Sequence, residues 1–149
     1  MDELVELGFA PTLSKGKVGE FLLAHHLDHE AIDGGGGLDG LDADGRLYEY
    51  KYSQDNQFNF NMGDWIPVDA SDDRLEEKFG HVEGAFLGAG QDNIPLIRII
   101  YLPMNELLPL LKEECRALSE RGKAHQVNGS MTAWEKRIPN SRRILWAEI

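Results

Sequence analysis

The sequence predicts an α/β (α+β) fold, a central mixed sheet flanked by helices. Three observations lead there. Segments that read as strands recur around 37–53, where the flanks of an acidic turn alternate, and at 81–89, 94–102 and 142–149. Two longer segments, 14–30 and 105–121, carry the spacing of helices. The order is helix, hairpin, two strands, helix, strand, which gathers the strands into one sheet with helices against it. The 149 residues suit one domain with a single sizeable core.

A short first helix is expected from roughly Asp2 to Leu7, before Pro11. "SKGKVGEFLLAHHLDHE" follows as a helix with Ser14 near its N-cap. At about 100° per residue, Val18, Phe21, Leu22 and His25 form one stripe, and Glu20 shares another with Leu23, Ala24 and Leu27. A helix apolar on both sides is buried, so Glu20 needs a partner. "DGGGGLDG" is a flexible lead-in and not a phosphate loop, because no Gly-Lys-Ser/Thr follows. Two short strands joined by "ADG" come next. Residues 54–80 read as polar and irregular, with a short helix at "SDDRLEEKF". "HVEGAFLGA" and "IPLIRIIYL" are strands connected by a turn at "GQDN". "NELLPLLKEECRALSER" is a helix with Asn105 as N-cap, Pro109 early enough for the first turn, and Gly122 at its end. "RRILWAEI" is the final strand.

Net charge is −11, which argues against a nucleic-acid partner, because phosphate binding is driven by Lys and Arg. The distribution softens that objection. Residues 116–143 hold seven Lys/Arg against two acids, and the excess acid falls mostly within 28–92. A basic C-terminal region on an acidic body suits a polyanion held on one face, and it equally suits plain solvated surface. No segment approaches the roughly 18 consecutive apolar residues of a membrane span. The start, "MDELVELGFAPTL", has neither the basic n-region nor the apolar h-region of a signal peptide. The single cysteine, Cys115, allows no intrachain disulfide, so a reducing cytoplasm is the expected compartment and no membrane partner is expected. Cys115 lies in a helical pattern without a nearby His and reads as a helix residue. His25 and His29 have the i, i+4 spacing that zinc sites use, but no third ligand is obvious and a structural role is expected.

The acidic turn carries the chemistry. Two registers compete for "LDADGRL". A two-residue Asp44-Gly45 loop pairs Ala43 with Arg46, sets Asp39 opposite Tyr50 and leaves Glu49 on the other face. A three-residue loop, with Gly45 as the left-handed residue of a G1 bulge, pairs Asp42 with Arg46, Leu41 with Leu47 and Asp39 with Glu49. Lys51 then shares the face of Glu49. Facing carboxylates destabilise a sheet unless water reaches them or a divalent cation sits between them. Oxygen ligands favour Mg²⁺ or Mn²⁺ over zinc. A calcium loop fails, because aligning Asp44-Gly45 with EF-hand positions five and six puts Gly40 and Lys51 at the two anchoring positions.

Asp39, nine intervening residues, then Glu49-Tyr50-Lys51 on the second strand of a hairpin resembles the PD-(D/E)XK nuclease motif. "GKVGEFLLAHHL" is similar to the helix that often supplies this superfamily with a further glutamate, here Glu20. "GLDGLDADGRLYEYKYS" looks closest to the PvuII-type restriction endonucleases in its Asp-to-Glu spacing, its turn ending in Gly and the aromatic before the Glu. The likeness continues loosely through 81–102 and the next helix. Two departures stand out: Leu38 occupies the place of the motif proline, and the chain is strongly acidic.

The resemblance implies one restriction-endonuclease-like domain over residues 1–149, a Mg²⁺-dependent DNA endonuclease (with Mn²⁺ able to substitute) acting on double-stranded DNA as a homodimer. It implies Asp39 and Glu49 as metal ligands with the Tyr50 carbonyl as an extra one, and Lys51 orienting water or stabilising the transition state. Glu20 would bind through water or tune the site, or else is a buried Glu paired with a lysine. Asn59 and Asn61 alternate with Phe58 and Phe60, so a strand there shows both amides on one face. Asn can pair with adenine in the major groove, and base-reading residues occur in this region of PvuII-type enzymes; a half-buried strand with two surface amides looks the same. Lys136, Arg137, Arg142 and Arg143 are candidate phosphate contacts, or a solvated strand edge. Trp134 and Trp146 read as core or interface aromatics. A junction-resolvase-like nuclease and a non-catalytic acidic interaction protein on the same fold are the rival readings.

Overall fold

A computed structural model describes residues 15–33, 38–91 and 94–148. The helix expected at 2–7 and the Ser14 cap lie outside these residues. In chain order the elements are α1 (Lys15–Leu27), β1 (Glu30–Asp33), β2 (Leu38–Leu41), β3 (Leu47–Ser53), β4 (Phe58–Gly63), α2 (Val68–Phe79), β5 (Gly84–Gln91), β6 (Ile94–Pro103), α3 (Met104–Glu120), β7 (His125–Gly129), α4 (Met131–Arg137) and β8 (Arg142–Trp146). The expected α+β class with a mixed sheet is the one observed. Six strands form the main sheet in the order β1-β2-β3-β5-β6-β8, and β4 pairs with β7 in a separate ribbon. Only β3 and β5 run parallel among these pairings. The crossover between them carries β4 and α2.

Alternation along β3 assigns the two faces of the main sheet. Tyr50 joins Phe86, Ile99 and Tyr101 on the face covered by α1, where Leu23 and Ala24 pack. Ala85, Leu87, Ile100 and Leu102 line the other face. There they meet Leu75 and Phe79 of α2, Leu107, Leu111 and Cys115 of α3, and Phe58, Phe60 and Trp134. The Trp134 indole is fully buried and donates its N–H to the Phe58 carbonyl at 3.1 Å, tying α4 beneath the ribbon. No described helix is long and apolar enough to cross a membrane.

Several expectations need correction. The segment 54–80 is not irregular: it holds β4, and its helix starts at Val68, ahead of "SDDRLEEKF". β1, β7 and α4 were not expected at all. Their four to seven residues are too short for periodicity to separate from loop. The strand expected from His81 begins at Gly84. Asn105 does not cap α3: Pro103 holds that position, and the Met104 N–H is satisfied by the Glu83 carbonyl at 3.0 Å. Pro109 therefore falls inside the helix, on a side open to water, which can serve the Asn105 carbonyl that Pro109 leaves without its N–H. Gly122 ends α3 as expected. Its φ is +66°, the Gly122 N–H meets the Ser119 carbonyl and the Lys123 N–H meets that of Leu118, a Schellman arrangement.

From Lys17 to Leu27 of α1 the buried residues are Gly19, Leu22, Leu23 and Ala24, while His25 is exposed. The expected stripe was misphased because Gly19 contributes no apolar side chain yet marks the closest approach. A Cβ there would land on the Tyr52 ring of β3. Glycine at 19 lets α1 lie directly on β3 and brings the next residue, Glu20, to the edge of the acidic hairpin.

Candidate metal centre on the acidic hairpin

The three-residue register is the observed one: Asp39 pairs with Glu49, Gly40 with Tyr48 and Leu41 with Leu47. Gly45 has φ +80°. The Gly45 N–H donates to the Asp42 carbonyl at 3.1 Å, and the Asp42 N–H to the Arg46 carbonyl at 3.0 Å. The Asp42 carboxylate accepts from the N–H groups of Asp44 and Arg46, each at 2.9 Å, and from the Tyr48 hydroxyl at 2.9 Å. Those bonds, led by Arg46, hold its pKa below the usual carboxylate range. Asp42 thus builds the turn. A Cβ on residue 45 would meet nothing within 4 Å, so replacing this glycine costs backbone strain alone. Gly45→Ala is expected to lower stability by about 1 kcal/mol, and Gly45→Asn by clearly less, because Asn tolerates the left-handed region. Chemical denaturation checks this; equal losses would contradict it.

Because Asp42 and Arg46 form a hydrogen-bonded pair, alternation makes Asp39 and Glu49 a non-hydrogen-bonded pair, where facing side chains come closest. The Lys51 ammonium stands 3.6 Å from Glu49 Oε1 and 5.2 Å over the Phe60 ring. Asp39 bears the cost of the pair. Burial, then the Glu49 charge, a hydrogen bond shared with Glu49 and the Glu20 charge push its pKa up to about 7, against the pull of Lys51. Glu20 therefore acts on the site electrostatically from α1.

Tyr50 points to the opposite face. Its hydroxyl shares a 2.7 Å hydrogen bond with His29 Nδ1, and its ring is buried beside Phe86. Only its main chain, between Glu49 and Lys51, belongs to the site. Among the described residues no group of three or more His, Cys, Asp or Glu is arranged to hold a metal. Two carboxylates in a half-buried setting fit an ion such as Mg²⁺, which keeps several waters and takes phosphate oxygens to complete its shell.

The other candidate residues are spread out. Asn59 and Asn61 lie on β4, opposite Asn128 and Gln126 of β7. The four amides share the face of the ribbon away from Phe58 and Phe60. Asn59 Oδ1 is buried and has no hydrogen-bond partner among the described residues. Arg137 donates to the Asn128 carbonyl at 3.2 Å and stacks 4.8 Å over Trp134. Lys136 is exposed. Arg142 and Arg143 lie on β8, three strand spacings of about 4.8 Å from β3. Arg142 caps the Tyr101 ring at 4.9 Å; Arg143 pairs with Glu135 at 2.8 Å and lies 3.6 Å over Trp146. These two arginines are not gathered at the acidic hairpin.

Two features escape the sequence reading. Gln126 and Asn128 extend the amide face, and their alternation with His125 and Val127 was the available signal. Lys78, on α2, donates to the Asn61 carbonyl at 3.2 Å and sits 5.5 Å over the Phe79 ring. Partial desolvation, then the neighbouring Lys51 charge, hold its pKa below the usual lysine value against the pull of Glu49 and Asp39, so it belongs to the same electrostatic cluster although its side chain is exposed. Nothing in "DDRLEEKF" separates Lys78 from a solvated helix face. Neither a model of a known protein family nor a curated protein matches the sequence.

Proposed function

We propose that the protein is a Mg²⁺-dependent endodeoxyribonuclease of PD-(D/E)XK type that hydrolyses phosphodiester bonds of double-stranded DNA as a homodimer in the cytoplasm. The observation that carries this reading is the Asp39–Glu49 facing pair with Lys51 on the same face. A bound Mg²⁺ supplies charge neutralisation at the scissile phosphate and lowers the pKa of a bound water. Asp39 and Glu49 would hold the cation, and the Tyr50 carbonyl, between Glu49 and Lys51 in the chain, would be the further ligand. Lys51 gives a compact positive charge where negative charge develops on the phosphoryl oxygens. Water oxygen attacks phosphorus, a P–O ester bond breaks, and an alcohol and a phosphate monoester leave. The homodimer follows from the need to cut two strands. A two-stranded ribbon can enter the major groove, where the exposed Asn61 would meet base edges, whereas the Asn59 carboxamide oxygen is buried.

Structures of crystals soaked in Mn²⁺ are expected to contain an ion ligated by Asp39 and Glu49, with cleavage of plasmid or linear duplex in Mg²⁺. An ion elsewhere, together with no cleavage of plasmid, duplex, junction or single-stranded DNA, would contradict the reading. Cleavage restricted to junctions would favour a resolvase-like enzyme.

A further inference from the structure

We infer that Lys78 is a second phosphate-binding residue of the site, holding a backbone phosphate that flanks the one facing Lys51. This inference rests on the nuclease reading for its substrate. Three placements support it. The Asn61 carbonyl fixes the Lys78 ammonium on β4 directly beside Phe60, the residue whose ring Lys51 covers. The two ammonium groups therefore approach the same stretch of β4, one from α2 and one from β3.

The charge of Lys78 is also uncommitted. Lys112, Arg116 and Arg143 are neutralised by Glu76, Asp72 and Glu135, whereas no carboxylate among the described residues lies within 4.0 Å of Lys78. One carbonyl occupies one of its three N–H donors, leaving two for a ligand. Finally, Lys78 is exposed, so an extended polyanion can reach it without rearrangement of the core. In a chain of net charge −11, a local pair of cations at the carboxylates is what a phosphate backbone needs to approach them.

The test uses the full chain and a fluorescent DNA duplex in Ca²⁺, titrated across several salt concentrations, with wild type, Lys78→Gln and Lys78→Arg compared. Loss of one phosphate contact is expected to reduce the slope of log K against log salt by about 0.9 in Lys78→Gln. Affinity at low salt is expected to fall on the order of tenfold, with most of both effects recovered in Lys78→Arg and the melting temperature unchanged. A slope and affinity equal to wild type in Lys78→Gln, or no recovery in Lys78→Arg, would overturn the inference. Duplex binding without cleavage in Mg²⁺ or Mn²⁺ would remove the nuclease reading while the slope still decides on Lys78. Absence of duplex binding by wild type would overturn both.

Discussion

Lys51→Ala is expected to lower Mg²⁺-dependent DNA cleavage by on the order of 10³-fold while the protein stays folded. The side chain is a quarter exposed, so the space its removal leaves is open to water and not a sealed core cavity. What disappears is the cation that β3 itself places beside Glu49, 3.6 Å from its carboxylate and held over the Phe60 ring. Charge that grows on a phosphate there would lose its nearest protein counter-charge. Lys51→Arg is expected to recover only part of the rate, since a planar guanidinium cannot occupy the place of a compact ammonium. Single-turnover cleavage beside circular dichroism reads both quantities. Full activity in Lys51→Ala would sink the proposed function. The variant carries a second expectation: Lys51 pulls the Asp39 pKa down, so its loss should move the Asp39 titration in the metal-free protein to higher pH.

Asp39→Asn is expected to stabilise the metal-free protein at pH 8 by about 1–2 kcal/mol and to abolish cleavage. The sign follows from proton counting. The folded Asp39 pKa of about 7 lies above the model-compound value of 3.8, so between those values the folded state holds a proton that the unfolded chain has lost. Stability contributed by this group is present at low pH, falls as pH rises through that window and is gone above about 7. The full linkage value would be nearer 4 kcal/mol, but water reaches the pair and screens it. A neutral amide removes the repulsion with Glu49 and Glu20. In wild type, Mg²⁺ should restore the stability that high pH removes, because it binds only the folded pair. Thermal melts from pH 5 to 9, with and without Mg²⁺, check this. A wild-type melting temperature that rises through pH 7 without metal, or an Asp39→Asn variant less stable at pH 8, would contradict it.

The hairpin was legible because its register obeys local chemistry. Gly45 sets a three-residue loop, and the period of two then fixes which side chains share a face. Strands β5 and β6 were legible as short apolar runs joined by a turn, and α3 from its spacing. The rest was hidden for stated reasons. β7 and α4 are short and polar, and only burial of Val127 and Trp134 against distant residues makes them regular elements. The position of α1 depends on a contact between Gly19 and Tyr52 that no window of sequence contains. Lys78 reaches the Asn61 carbonyl through the packing of α2 on β4, a tertiary relation with no local signature. Arg142 and Arg143 looked available as charges, yet the fold commits Arg143 to Glu135 and sets Arg142 against Tyr101.

The same parity that assembles the site limits how its gene can change. Lengthening or shortening the Ala43–Gly45 loop by one residue would offset the two strands by one, so that Asp39 would face Tyr48 or Tyr50 and Glu49 would face Leu38 or Gly40. Point substitutions in this turn leave the pairing parity untouched, as would insertions that extend both strands equally. A single-codon deletion between 43 and 45 is therefore expected to be more damaging than any single replacement there. Natural variation in the hairpin should accordingly appear as residue exchange at constant length.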